Sequence, residues 1–175
     1  ALERFLRRVP ADSGLAYVIV QHLSPEHESS LAEILARATK LPVVTVTDAQ
    51  RVEPDHVYVI PPGASLGVEA GALRLVPSDP KGVRLLVNAF LTSLAEDQRE
   101  NAVGVVLSGT GSDGALGIAA VKRHGGRTFA QLPDQPRQNF SVAAKAALAL
   151  KGRGTGRCEG PWVRTKEWVW PAAMV

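Results

Sequence analysis

Two rhythms take turns along this chain: short unbroken apolar runs, and longer stretches whose apolar residues recur three and four positions apart. Ala1, Leu2, Phe5, Leu6 and Val9 fall on one face of a helix over residues 1–9, which Pro10 ends. Residues 16–21, Ala-Tyr-Val-Ile-Val-Gln, form a run of the kind buried on both faces of a parallel sheet, and His22 follows at once. A second helix is predicted over about 29–40, with Leu31, Ile34, Leu35 and Ala38 as its buried stripe, then strands at 43–46 and 57–60, the latter stopped by Pro61, Pro62 and Gly63. Apolar segments at 66–69 and 73–76 flank Ala70, Gly71 and Ala72 and read as a hairpin turning near Gly71. A longer helix over about 83–97 carries Leu86, Phe90 and Leu94 at helical spacing, and a strand from Val103, a helix over 114–123 and a strand at 127–130 follow. Strands alternating with helices predict an α/β fold with a mostly parallel sheet. Ligands of such sheets bind beyond the carboxyl ends of the strands, where His22 and Asp113 both fall, so the two are expected to face one crevice.

Composition narrows the class. With 175 residues, 45% hydrophobic and 21% charged, the chain can bury a real core in one domain. No apolar run is long enough for a membrane span, and residues 1–9 carry Arg4, Arg7 and Arg8 without a following apolar region or cleavage site, so the expectation is a cytoplasmic protein with no membrane insertion. The single cysteine, Cys158, rules out an intramolecular disulfide framework and reads as a bystander thiol. A pI near 9.3 invites a nucleic-acid reading until the charge is divided. Residues 1–131 hold 13 basic against 14 acidic side chains and residues 132–175 hold 7 against 3, so the basicity belongs to the tail. No recognition module surrounds those basic residues, and no nucleic-acid partner is expected.

The chemistry concentrates after Val103. Four glycines in eleven positions (Gly104, Gly109, Gly111 and Gly114) allow a sharp turn, and Asp113 stands where the next helix begins. Two readings are open: Asp113 caps the helix over 114–123, or it is the acid of a site at the strand end.

Residues 19–24 (Ile-Val-Gln-His-Leu-Ser), 57–63 (Val-Tyr-Val-Ile-Pro-Pro-Gly), 103–115 (Val-Gly-Val-Val-Leu-Ser-Gly-Thr-Gly-Ser-Asp-Gly-Ala) and 125–131 (Gly-Gly-Arg-Thr-Phe-Ala-Gln) carry a resemblance. In that order they resemble the catalytic domain of the bacterial chemotaxis-receptor methylesterases, above all the version fused to a methyltransferase. The resemblance implies a serine hydrolase on a doubly wound, three-layer α/β sheet that removes methyl groups from glutamate methyl esters of receptor helices. It matches His22 to the general base and Asp113 to the acid that orients it. An imidazole takes the proton of a weak nucleophile and a carboxylate fixes its tautomer. Backbone N–H groups of the loop at Gly109, Thr110, Gly111, Ser112 and Gly114 would bind the developing oxyanion. The family's nucleophilic serine lies in a loop between its first strand and the helix matching residues 1–9, so the expectation is a domain truncated before that loop and a sheet missing the first strand. Ser24, Ser108 and Ser112 read as turn or cap hydroxyls rather than replacements.

The resemblance covers residues 1–131, read as the methylesterase-like domain, and residues 132–175 read as a divergent basic tail. Within the tail, about 141–150 reads as an alanine-rich helix, 151–157 as a linker, and all three tryptophans fall in 162–170. That tryptophan segment is β-prone, and one expectation is that it pairs where the first strand is missing or at the same edge of a second copy, giving a homo-oligomer through the sheet edge or the tail. The alternative is a disordered tail.

Three functions follow. One is hydrolysis of activated small esters by the His22 and Asp113 pair, with water attacking. Another is a Zn²⁺- or Mn²⁺-dependent phosphoester or carboxylester hydrolase whose candidate ligands are His22, His27 and Asp113, a spacing that is no recognised metal motif. His27 has a plainer reading as a loop residue, and His56 and His124 as surface histidines. The third is a catalytically inactive, oligomerising fragment. Of these the hydrolase is preferred, because the crevice, base and acid serve hydrolysis with least change.

Overall fold

The structure, a computed structural model, describes residues 2–23, 30–77, 85–107, 112–130 and 171–174. Its elements are α1 (Leu2–Leu6), β1 (Ala16–Ile19), α2 (Leu31–Ala36), β2 (Val43–Thr45), β3 (Gln50–Arg51), β4 (Val57–Val59), β5 (Ala64–Glu69), β6 (Ala72–Pro77), α3 (Leu86–Gln98), a 3₁₀ turn (Arg99–Asn101), β7 (Val103–Val106), α4 (Ala115–Arg123), β8 (Arg127–Ala130) and β9 (Pro171–Met174). Six strands form one sheet in the order β2-β4-β1-β9-β7-β8, with every pairing parallel.

The run at 16–21 was read as a strand buried on both faces, and the packing shows why. Ala16 and Val18 of β1, and Val20 just beyond it, belong to the core that also holds Tyr58, Ile60, Val106 and the buried apolar residues of α3 and α4. Tyr17 and Ile19 point the other way, where Val57, Val59 and Val105 meet Leu6 of α1 and Leu35 of α2. Helices therefore cover both faces, the three-layer arrangement of a doubly wound fold. β5 and β6 form the predicted hairpin, paired from Ala64↔Pro77 to Glu69↔Ala72. Its two-residue turn holds Ala70 at φ 49° and Gly71 at φ 73°, the double left-handed geometry whose twist suits a hairpin. β3 joins it as a third strand that the sequence reading missed. The small sheet is fastened to α3 by Val68 N donating to Ser93 Oγ (3.0 Å) and Gly71 N donating to Asp97 Oδ2 (3.1 Å).

Several boundaries differ from expectation. α1 gives way after Leu6 to tighter turns, with Arg8 N bonded to Phe5 O and Val9 N to Leu6 O. α2 is six residues long, and Ile34, assigned to its buried stripe, is 42% exposed, while Leu35 and Ala38 are buried. The expected gap in the sheet is filled: β9 lies between β1 and β7, in register Ala16↔Pro171 to Ile19↔Met174 on one side and Val103↔Ala172 to Val105↔Met174 on the other. The filling strand is residues 171–174 rather than the tryptophan segment 162–170, which lies outside the described residues. The helix read at 141–150 and the linker at 151–157 also lie outside them. Among the described residues no helix is long and apolar enough to cross a membrane.

Candidate active site

His22 follows β1 by three residues and Asp113 stands two residues before α4, so both lie beyond the carboxyl ends of strands that flank β9. The structure brings them together: His22 Nε2 is 2.9 Å from Asp113 Oδ2. The imidazole is 52% exposed, while the carboxylate is 14% exposed. An ionised carboxylate only accepts hydrogen bonds, so Nε2 is the donor and Nδ1 is left as the acceptor nitrogen of the neutral ring.

The carboxylate is held by a second helix. Asp113 Oδ2 also accepts the Val87 N–H (3.0 Å), and Oδ1 accepts the Asn88 N–H (2.9 Å). Val87 and Asn88 lie in the first turn of α3, whose amides have no partner within the helix. Their negative partner complements the positive end of the helix dipole. Of the two readings left open for Asp113, the cap lies on another helix than the one expected: its carboxylate caps α3, 26 residues earlier in the chain, and the same carboxylate meets His22. The favour is returned. Asn88 Oδ1 accepts the Gly114 N–H (3.0 Å) and the Gly117 N–H (2.9 Å), capping α4. Each helix thus lacks a side-chain cap from its own N-cap residue: α4 takes one from Asn88 of α3, and α3 takes one from Asp113, just ahead of α4.

Two glycines allow this exchange. Gly114 sits at φ 101°, and a Cβ there would lie 2.8 Å from Val87 Cγ1. A Cβ on Gly117 would lie 2.5 Å from Leu91 Cβ and 3.2 Å from the Asn88 Cα. Only a glycine lets α4 approach α3 closely enough for one buried amide to bridge both N–H groups.

The other expected residues are placed as follows. Gly114 donates its N–H to Asn88, so that group is spent inside the fold rather than offered to an oxyanion. Ser112 is exposed, and Gly109, Thr110 and Gly111 lie outside the described residues. So do Ser24, His27 and Ser108, and among the described residues no group of three or more His, Cys, Asp and Glu side chains is placed to hold a metal. His56 Nδ1 donates to Pro54 O (2.7 Å) and its ring stacks on Tyr58, while His124 Nδ1 donates to Ala120 O (3.0 Å), so both serve local structure. Asn88 is the site residue that sequence reasoning missed. Its signal was a single amide amid Leu86, Val87, Phe90 and Leu91, on a helix otherwise read for its apolar stripe.

Residues 1–151 match the family described as CheB methylesterase. The chain is 35% identical over 161 residues to protein-glutamate methylesterase/protein-glutamine glutaminase 3 of Myxococcus xanthus, covering 89% of this chain and 43% of that protein. It is 42% identical over 137 residues to an uncharacterised 104.1 kDa protein of Rhodobacter capsulatus, covering 76% of this chain and 14% of that protein. It therefore spans less than half the length of either relative. Among solved structures it superposes on the CheB methylesterase catalytic domain of Thermotoga maritima with a TM-score of 0.71 at 26% identity, over 97% of this chain and 85% of that one.

Proposed function

Because the chain belongs to the CheB methylesterase family, we propose that it hydrolyses carboxyl esters, with His22 as general base and Asp113 as the residue that orients it. The observation that carries this reading is the 2.9 Å contact between His22 Nε2 and a carboxylate that two backbone amides hold in place. With Nε2 donating to Asp113, Nδ1 takes the proton of a water molecule as its oxygen attacks the ester carbonyl carbon. The carbonyl π bond opens to an oxyanion, and the tetrahedral intermediate collapses by breaking the carbon–alkoxy bond. The imidazolium returns its proton to the departing alkoxide, so one ester and one water become one acid and one alcohol. Asp113 stays ionised and stabilises the charged ring. The relatives' name, protein-glutamate methylesterase, points to the side-chain methyl ester of a glutamyl residue as the substrate class.

The test is hydrolysis of chromogenic carboxyl esters and of a glutamyl methyl-ester peptide by the purified protein, with and without a chelator. Turnover that falls by about 10²–10⁴ in His22→Ala and ignores the chelator supports the reading. Chelator-sensitive turnover restored by Zn²⁺ or Mn²⁺ would replace it with metal-assisted hydrolysis, and turnover unaffected by His22→Ala would remove His22 from the chemistry.

A further inference from the structure

Asn88 lies outside every expected catalytic role, yet it is one of two buried polar residues of the described core, 8% exposed, and its groups engage both sides of the site. Its backbone N–H donates to Asp113 Oδ1, and its side-chain oxygen accepts from Gly114 and Gly117, the residue next to Asp113 and the first turn of the helix behind it. Two N–H donors on one atom fix which end of the amide is oxygen. Asp113 is therefore gripped from both directions: its carboxylate by α3, its main chain through Gly114 by the side chain of the same α3 residue. We propose that Asn88 is a positioning residue for the His22 and Asp113 pair, setting the direction in which the Asp113 carboxylate meets the His22 ring. This deepens the esterase reading and rests on it for its purpose, but its physical content is a property of the imidazole alone.

Consider what the side chain's loss does. Without the Asn88 oxygen the Gly114 and Gly117 N–H groups lose their shared acceptor in a buried place. The first turn of α4 then seeks other partners and takes Asp113 with it. The half-exposed imidazole keeps its location but loses a well-aimed carboxylate, and its protonated form loses support. An aspartate at 88 acts oppositely. A carboxylate oxygen accepts the same two N–H groups, so the geometry survives, and its added negative charge beside Asp113 favours the imidazolium.

The experiment is an NMR pH titration of the His22 ring in the full chain, for the unsubstituted protein, Asn88→Leu, Asn88→Asp and Asp113→Asn. Asp113→Asn gives the full effect of losing the carboxylate. The expected result is a midpoint lower than in the unsubstituted protein for Asn88→Leu and higher for Asn88→Asp. In the Asp113→Asn background, Asn88→Leu moves the midpoint no further. A residue that merely stabilises the helix pair would leave the midpoint of folded Asn88→Leu unmoved, while the rise in Asn88→Asp reports its added charge on a pair still in place. A midpoint that is unmoved in Asn88→Leu, or that falls in both variants, overturns the proposal. Should Asn88→Leu fail to fold, Asn88→Asp decides: a midpoint that does not rise overturns it. If no ester is turned over and the opposite shifts are still seen, the positioning role stands and the esterase reading falls.

Discussion

Asp113 does two things at once, and they can be separated by comparing it with its partner. As acceptor for the Val87 and Asn88 amides it is the cap of a 13-residue helix, whereas His22 adds only a half-exposed contact to the same carboxylate. Asp113→Ala is expected to cost about 1–2 kcal/mol of folding stability, the usual weight of a lost N-cap. His22→Ala is expected to cost no more than about 0.5 kcal/mol, since exposed ionic contacts contribute little. Urea unfolding of the two variants measures both, and equal losses would mean that the cap contributes nothing. Both substitutions should abolish most ester turnover, so stability distinguishes what activity does not. Tyr17 makes a second residue-scale case. Burial pushes its phenol above the ordinary tyrosine range, with a side-chain interaction with Ser13 opposing and Asp55 adding to the rise. The unfolded chain then releases this proton first, so the stability the neutral phenol contributes is intact below the unfolded value and is lost as pH rises through the folded one. Tyr17→Phe is expected to flatten the alkaline fall in melting temperature, while leaving the profile below that range unchanged in shape.

At the scale of elements, position matters more than propensity. Ala70 occupies a left-handed turn position at φ 49°, where a Cβ is a burden, so Ala70→Gly is expected to raise stability by about 0.5–1 kcal/mol, read as a higher melting temperature. Gly117 is the converse: its α3 neighbours leave no room for a methyl group, and Gly117→Ala should cost about 1–3 kcal/mol despite alanine's better helix propensity. The hairpin was legible because Ala70-Gly71 sits between two β-prone runs. β3 was not, because two residues, Gln50 and Arg51, carry no periodicity. β1 and β4 were read within two residues of their observed bounds at either end, since burial on both faces demands unbroken apolar runs, β7 starts at Val103 as read, and β8, an edge strand with Arg127 and Phe129 exposed, spans 127–130 as read. α2 was read too long. Its start and end have no helix-stopping residue, Ser30 makes no side-chain cap bond, and an apolar count placed Ile34 inside when the short helix leaves it outside. For the site, His22 and Asp113 could be placed at one end of the sheet from strand order alone. That Asp113 caps α3 could not be read, because the partner amides are 26 residues away and any backbone can supply them.

The whole molecule turns on the middle of its sheet. The cores on its two faces draw on strands from both sides of β9: β1 and β7 supply Val18 and Val106 to one and Ile19 and Val105 to the other. Without a strand between them, two edges of backbone donors and acceptors would be left unpaired beneath both helix layers. That a strand near the chain's end takes this place was half legible. A vacancy was expected there from the resemblance, but the β-prone tryptophan segment drew attention from Pro171–Met174, whose two alanines have weak strand propensity and whose proline is a strand breaker except at a strand's first residue. Proline does stand first in β9, the one position of a central strand that tolerates it. The same reasoning fixes the test. Ala173 is paired with Val18 on one side and Gly104 on the other, and Ala173→Pro removes a ladder donor and forces the ring into a strand flanked on both sides. A loss of about 2–4 kcal/mol is expected, a large share of the roughly 5–15 kcal/mol that holds a domain together. Urea unfolding reads it directly, and an unshifted midpoint would place β9 outside the sheet. Because β9 separates the strands that carry His22 and Asp113, the same substitution should loosen their contact, so ester turnover should fall together with stability and recover in neither measurement alone.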